Sequence, residues 1–100
     1  MLRSVVPLKF IVIDTKDNVA TGLMPLTTGE SLSASSSSSA VITLLEDIPF
    51  GHKFALKDIK KGTPIIKYGE TIGLATEDIK KGDHVHVHNV EGLRGRGDMV

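Results

Sequence analysis

A five-residue phrase occurs twice in this chain. Asp58-Ile59-Lys60-Lys61-Gly62 returns twenty positions later as Asp78-Ile79-Lys80-Lys81-Gly82. Each copy sets one apolar side chain ahead of a lysine pair and ends on glycine, the residue that takes positive φ without steric cost. Each is followed by a β-rich run, Pro64 to Tyr68 after the first and His84 to Val90 after the second. The repeat therefore predicts two related strand–turn–strand units packed with pseudo-symmetry. Two units are too few for a solenoid, which needs about three or more. The copies also differ in an informative way. Where the second has His86 and His88, the first has Ile66 and Tyr68.

The rest of the chain reads as short strands broken by turns. Leu8 to Asp14 is nearly continuous in apolar character and predicts a buried strand. Further strands are expected at Val19–Leu23, Val41–Leu45, His52–Leu56 and Thr71–Ala75, with one helical or 3₁₀ turn over Lys57–Gly62. No long segment repeats its apolar residues at helical spacing. An all-β, small barrel-like domain is expected over residues 1–92, with residues 93–100 as a tail. Within it, Ser31 to Ala40 holds seven serines, and its lack of apolar area predicts a surface loop.

Composition limits the function. Lysine plus arginine and aspartate plus glutamate each total 12, so the formal charge is zero. That argues against a nucleic-acid binder relying on a basic surface. There is no cysteine, hence no disulfide or thiolate metal site. No apolar run approaches the ~18 residues of a membrane span, and Met1-Leu2-Arg3-Ser4 opens no secretion signal. A cytoplasmic protein is the expectation. One hundred residues leave little room for a deep, self-contained cleft. Any chemistry is expected to need a partner chain or a second copy, so a homo-oligomer is compatible.

The chemistry concentrates in the histidines, at positions 52, 84, 86 and 88. On a continuous strand, His84, His86 and His88 would share one face, with Val85 and Val87 turned to the core. Histidines two residues apart can share a divalent ion such as zinc, iron, manganese or nickel. The competing interpretation is an exposed edge strand whose polar residues merely face solvent. His52 follows Phe50-Gly51 and precedes Lys53, a candidate partner for an anionic substrate. Arg94 and Arg96 could grip carboxylates, although their glycine-rich surroundings fit a tail. No nucleophile elbow or phosphate-cradling loop is present.

Asp17-Asn18-Val19-Ala20, Ile48-Pro49-Phe50-Gly51-His52-Lys53-Phe54-Ala55, Asp58-Ile59-Lys60-Lys61-Gly62, Ile66-Lys67-Tyr68-Gly69-Glu70, Ile72-Gly73 and Gly82-Asp83-His84-Val85-His86-Val87-His88-Asn89 occur in this order. Together they resemble the amino-terminal SAF domain of the altronate/galactarate dehydratase family, over roughly residues 15 to 92. The run Ser35–Ser39 lies outside that pattern. The resemblance implies a β-clip fold and a metal-dependent hydro-lyase that dehydrates a sugar acid or related hydroxy acid. The SAF domain is fused to a large catalytic domain in many members and is a separate small subunit in others, including sulfolactate sulfo-lyase.

On this resemblance His52, His86 and His88 are expected to contribute catalytic groups, and Lys53 and Asn89 to bind substrate. His86 and His88 are also candidate metal ligands. The resemblance implies a divalent metal, iron or manganese, held mainly by a large dehydratase subunit. The alternative is a non-catalytic SAF-type binding or structural module, as in antifreeze proteins and periplasmic assembly chaperones.

Overall fold

The repeated phrase folds by pairing with itself. In the computed structural model, which describes residues 9–33 and 41–92, Ile59 and Ile79 form an antiparallel bridge. Their backbone bonds are reciprocal, each amide donating to the other's carbonyl at 2.7 Å. The aspartates complete the exchange. Asp78 Oδ1 accepts from the Lys61 amide and Asp58 Oδ1 from the Lys81 amide, both at 2.9 Å. Both isoleucines are buried, so each turn inserts one apolar side chain and keeps its lysines in water. The turns are not helical, contrary to the expected turn of helix over 57–62. The aspartates bond across to the other copy rather than capping their own segment.

Two further copies of this device exist. Asp47-Ile48-Pro49-Phe50-Gly51 bridges Pro25-Leu26-Thr27-Thr28-Gly29 through Leu26 and Ile48, again with reciprocal bonds, at 2.8 Å. Asp47 Oδ1 accepts from the Thr28 amide at 2.8 Å, as Asp78 does from Lys61. Pro25 stands where the reciprocal aspartate would be. All four turns end on a glycine at φ between 84° and 92°, namely Gly29, Gly51, Gly62 and Gly82. Gly82 carries a second constraint, because a Cβ there would run into the Thr43 carbonyl oxygen.

Among the described residues nine short strands connect these turns: β1 (Phe10–Ile11), β2 (Val19–Gly22), β3 (Ser31–Ser33), β4 (Val41–Thr43), β5 (Lys53–Ala55), β6 (Pro64–Lys67), β7 (Glu70–Ala75), β8 (His84–Val85) and β9 (Val90–Gly92). They form antiparallel sheets of order β1-β2-β5-β8, β3-β4 and β6-β7-β9. The four-stranded sheet separates two cores, because neighbouring residues on a strand face opposite sides. Val19 and Ala55 join Ile59, Ile65, Ala75, Ile79 and Val85 on one side. Ala20 and Phe54 join Leu26, Leu32, Ile42, Leu44 and Ile48 on the other. Each core thus receives one pair of turn residues. A fully buried isoleucine or leucine contributes ~1.5–3 kcal/mol, so the turns are a main source of stability.

The all-β, β-clip expectation is met, with no helix among the described residues. Three local expectations are corrected. The buried strand over 8–14 shrinks to the edge pair Phe10–Ile11. Ile11 and Ile13 are exposed, and the chain turns at Asp14, whose carbonyl accepts from the Asp17 amide. Ser31–Ser33 belongs to β3, paired with Val41–Thr43, rather than to a loop. Leu32 enters the core there and supplies the apolar area that the serines lack. The expected continuous strand from His84 to Val90 breaks after Val85. The rest of the serine run and the 93–100 tail, with Arg94 and Arg96, lie outside the described residues.

Two buried asparagines close the backbone in matching ways. Asn18 Nδ2 donates to the Pro64 carbonyl at 3.0 Å, and its Oδ1 accepts from the Ile66 amide at 2.8 Å. Asn89 Nδ2 donates to the His84 carbonyl at 2.9 Å, and its Oδ1 accepts from the His86 amide at 3.0 Å. The partners are again twenty residues apart. Pro64 and Ile66 therefore occupy the positions that His84 and His86 occupy in the second unit.

Candidate functional site: an imidazole cluster

The break after Val85 creates the site. Residues 86–89 form a turn held by the two side-chain bonds of Asn89 and by its amide, which donates to the His86 carbonyl at 3.0 Å. The turn swings Val87 into solvent at 81% exposure, correcting the expectation that it faces the core. It also gathers His84 and His86 against His52, which follows the Asp47–Gly51 turn, and sets His88 against His84. His52 Nδ1 lies 2.8 Å from His84 Nε2. The His52 ring stacks on His86 with centroids 4.1 Å apart and on His84 at 5.0 Å. His88 is tilted against His84 at 5.3 Å.

Two ligand groups result, each with its donor atoms within 4.8 Å of one another: His52, His84 and His86, and Glu46, His84 and His88. His84 belongs to both, whereas His86 and His88, the pair expected from sequence, fall in different groups. Glu46 Oε2 also accepts from the His84 amide at 3.2 Å. Glu46 is the member that the sequence did not single out, and His84, counted in the histidine alternation, was not among the expected site residues. The available signal was the third Asp-Ile-x-x-Gly phrase, which Glu46 precedes and His52 follows.

A tetrahedral ion with bonds of ~2.0–2.1 Å to imidazole needs its ligand nitrogens about 3.3 Å apart. The His52–His84 pair is slightly closer, at hydrogen-bond distance, and the donor atoms of the whole group fall within 4.8 Å of one another. The electrostatics fit as well. Loss of water, followed by the charges of His52 and His88, holds His84 below its ordinary value of 6.5, with Glu46 opposing weakly. His86, exposed on one side and stacked on the other, is lowered by desolvation and then by His52, His88 and Lys53. Both shifts favour the neutral imidazole that a metal binds. The residues present therefore fit a divalent metal.

Lowered histidine values also predict how stability depends on pH. The unfolded chain takes up protons at these positions before the folded one does, so stability rises with pH through this range. With a chelator present, the thermal midpoint is expected to fall as pH drops below 6.5. His84→Gln should flatten that slope, and an unchanged slope in the variant would show that His84 does not carry it.

Lys53 is half-buried on β5, next to His52. With His86, Val85, Ile65 and Val90 it lines a cavity of about 240 Å³. Asn89 is buried, and its side-chain amide is spent on the turn.

The geometry defines a small β-clip domain with an open imidazole cluster on one edge. The altronate/galactarate dehydratase SAF domain family matches residues 8–93, and the chain belongs to that family. It is 46% identical over 82 residues to the altronate dehydratase of Escherichia coli (strain K12), covering 82% of this chain and 16% of that enzyme. It is 49% identical over 53 residues to (2R)-sulfolactate sulfo-lyase subunit alpha of Paracoccus pantotrophus, covering 53% of this chain and 79% of that subunit. A third relative, galactarate dehydratase (L-threo-forming) of Escherichia coli (strain K12), is 48% identical over 44 residues, covering 44% of this chain and 8% of that enzyme. The chain thus spans about one sixth of the length of the altronate dehydratases it matches. No helix among the described residues is long and apolar enough to cross a membrane.

Proposed function

We propose that this chain is the SAF part of a hydro-lyase that removes water, or a comparable leaving group, from a sugar acid or related hydroxy acid. It would work beside a large catalytic subunit or domain. One observation carries the reading: histidines from two segments 32 residues apart meet at 2.8 Å on an open edge. The family membership supports the same chemistry.

Elimination next to a carboxylate needs a base for the α-proton and an acid for the departing hydroxyl. A neutral imidazole of the cluster can take the proton. The His52–His84 bond offers a path along which it can pass to the leaving group. Lys53 faces the substrate's carboxylate, and Asn89 acts as a positioning residue through the turn it holds. A divalent metal, iron or manganese, would supply Lewis acidity; held by His52, His84 and His86 it would replace the His52–His84 hydrogen bond, and held mainly by the large subunit it would leave that path intact.

The isolated chain is expected to show no turnover of altronate, galactarate or sulfolactate. Adding it to a purified large subunit should raise turnover, and His86→Ala should reduce that gain without unfolding the domain. Robust turnover by the small chain alone, or full activity of the large subunit without it, would reject the shared site.

A further inference from the structure

We propose that Glu46, His84 and His88 hold a divalent metal ion, with His52 positioning His84 through the hydrogen bond between them. The site rests on ligand geometry and stands apart from the hydro-lyase reading.

Ring orientation decides between the two ligand groups. A neutral imidazole accepts through one ring nitrogen, and that lone pair lies in the plane of the ring. A bound ion therefore lies close to the plane of every ring that holds it. His86 runs nearly parallel to His52 and His84, at interplanar angles of 16° and 11°, and is stacked on His52 with centroids 4.1 Å apart. An ion in the plane of one stacked ring stands off the plane of the other. His52, His84 and His86 thus do not converge on one ion without reorienting. His88 is tilted 38° from His84, so those two planes cross. Together with Glu46, their donor atoms lie within 4.8 Å of one another.

The two ring nitrogens of His84 then take different tasks. Nε2 lies 2.8 Å from His52 Nδ1. Nδ1 is the ring nitrogen nearer the main chain. Glu46 is held at that end, where its Oε2 accepts from the His84 amide at 3.2 Å. A ligating histidine commonly donates its other N–H to an acceptor, which fixes the tautomer and makes the ligand more basic. His52 Nδ1 is that acceptor. This group can hold an ion with the His52–His84 bond intact, whereas the other group would have to give the bond up.

The carboxylate is available. No ion pair among the described residues engages Glu46, and its acidic neighbours in the site are committed elsewhere. Asp47 Oδ1 accepts from the Thr28 amide and hydroxyl, both at 2.8 Å. Asp83 Oδ2 accepts from the Lys80 amide at 2.8 Å. Glu46 and His88 are exposed, so coordination positions beyond the three protein ligands stay open to a water or a hydroxy-acid oxygen. Two imidazoles and one carboxylate with open positions make a donor set that suits zinc and non-haem iron(II).

The test is a Zn²⁺ titration of the untagged, ¹⁵N-labelled full chain, read by calorimetry and by long-range ¹H–¹⁵N spectra of the imidazoles. One ion per chain is expected. His84 Nδ1 and one ring nitrogen of His88 should shift as ligands, while His84 Nε2 keeps its proton. Glu46→Gln, which retains an oxygen for the His84 amide, should weaken Zn²⁺ binding at least about tenfold. His88→Gln, a change at an exposed side chain, should do the same, so the result does not depend on one variant folding. His86→Gln should leave the affinity within about twofold of wild type. Absence of saturable binding, a loss in His86→Gln as large as that in Glu46→Gln, or ligation through His84 Nε2 would overturn the site. Binding as described, in a chain that fails to activate the large subunit, would support the site and count against the hydro-lyase reading.

Discussion

Phe54→Ala is expected to lower the thermal midpoint by more than ~10 °C. Phe54 has no exposed surface and is among the largest fully buried side chains in the domain. Its ring meets Phe10 edge-on, with centroids 5.6 Å apart. It packs with Leu26 and Ile48, the bridging residues of one turn pair. Truncating a buried phenylalanine costs about 3–5 kcal/mol, from lost transfer free energy and the cavity left behind. A domain of this size has only ~5–15 kcal/mol in total. Phe50→Ala is the matched control, since Phe50 is 66% exposed in the turn before His52. Its stability should stay within ~0.5 kcal/mol of wild type. Denaturant unfolding of both variants checks the contrast, and similar losses would mean that the two-core description is wrong.

His84→Ala is expected to lower turnover of the reconstituted enzyme by ~10²- to 10⁴-fold, the usual worth of a positioned acid or base. His84 is the shared member of both ligand groups and the hydrogen-bond partner of His52. Its side chain makes no bond within the turn, where Asn89 holds the His84 backbone carbonyl instead. The variant should therefore fold normally, and its thermal midpoint should move far less than that of Phe54→Ala. Single-turnover kinetics with a hydroxy-acid substrate would read the effect. Near-wild-type turnover would remove His84 from the site, and a collapsed midpoint would make its role structural.

The repeat made the β-clip legible because the same backbone device needs the same residues: an aspartate, an apolar anchor and a glycine. The third copy, Asp47 to Gly51, carries that signal openly. The fourth, Pro25 to Gly29, keeps only the apolar anchor and the glycine, so the bridge to Ile48 was needed to reveal it. The alternation His-Val-His-Val-His favoured one continuous strand, but the side chain of Asn89 captured two backbone groups and made a turn. Local period lost there to a specific hydrogen-bonding residue. The approach of His52 to His84 depends on the path of the chain between them, which no local pattern encodes.

The matching asparagines have a consequence for how the domain can change. Both address main-chain groups alone, a carbonyl and an amide two residues apart. The socket is therefore indifferent to which side chains sit on the segment it grips. One copy displays Pro64, Ile66 and Tyr68, and the other displays His84, His86 and His88. Reactive groups are interchangeable parts on a frame that stays closed while they are exchanged. A domain built this way can acquire, lose or relocate a chemistry without renegotiating its fold.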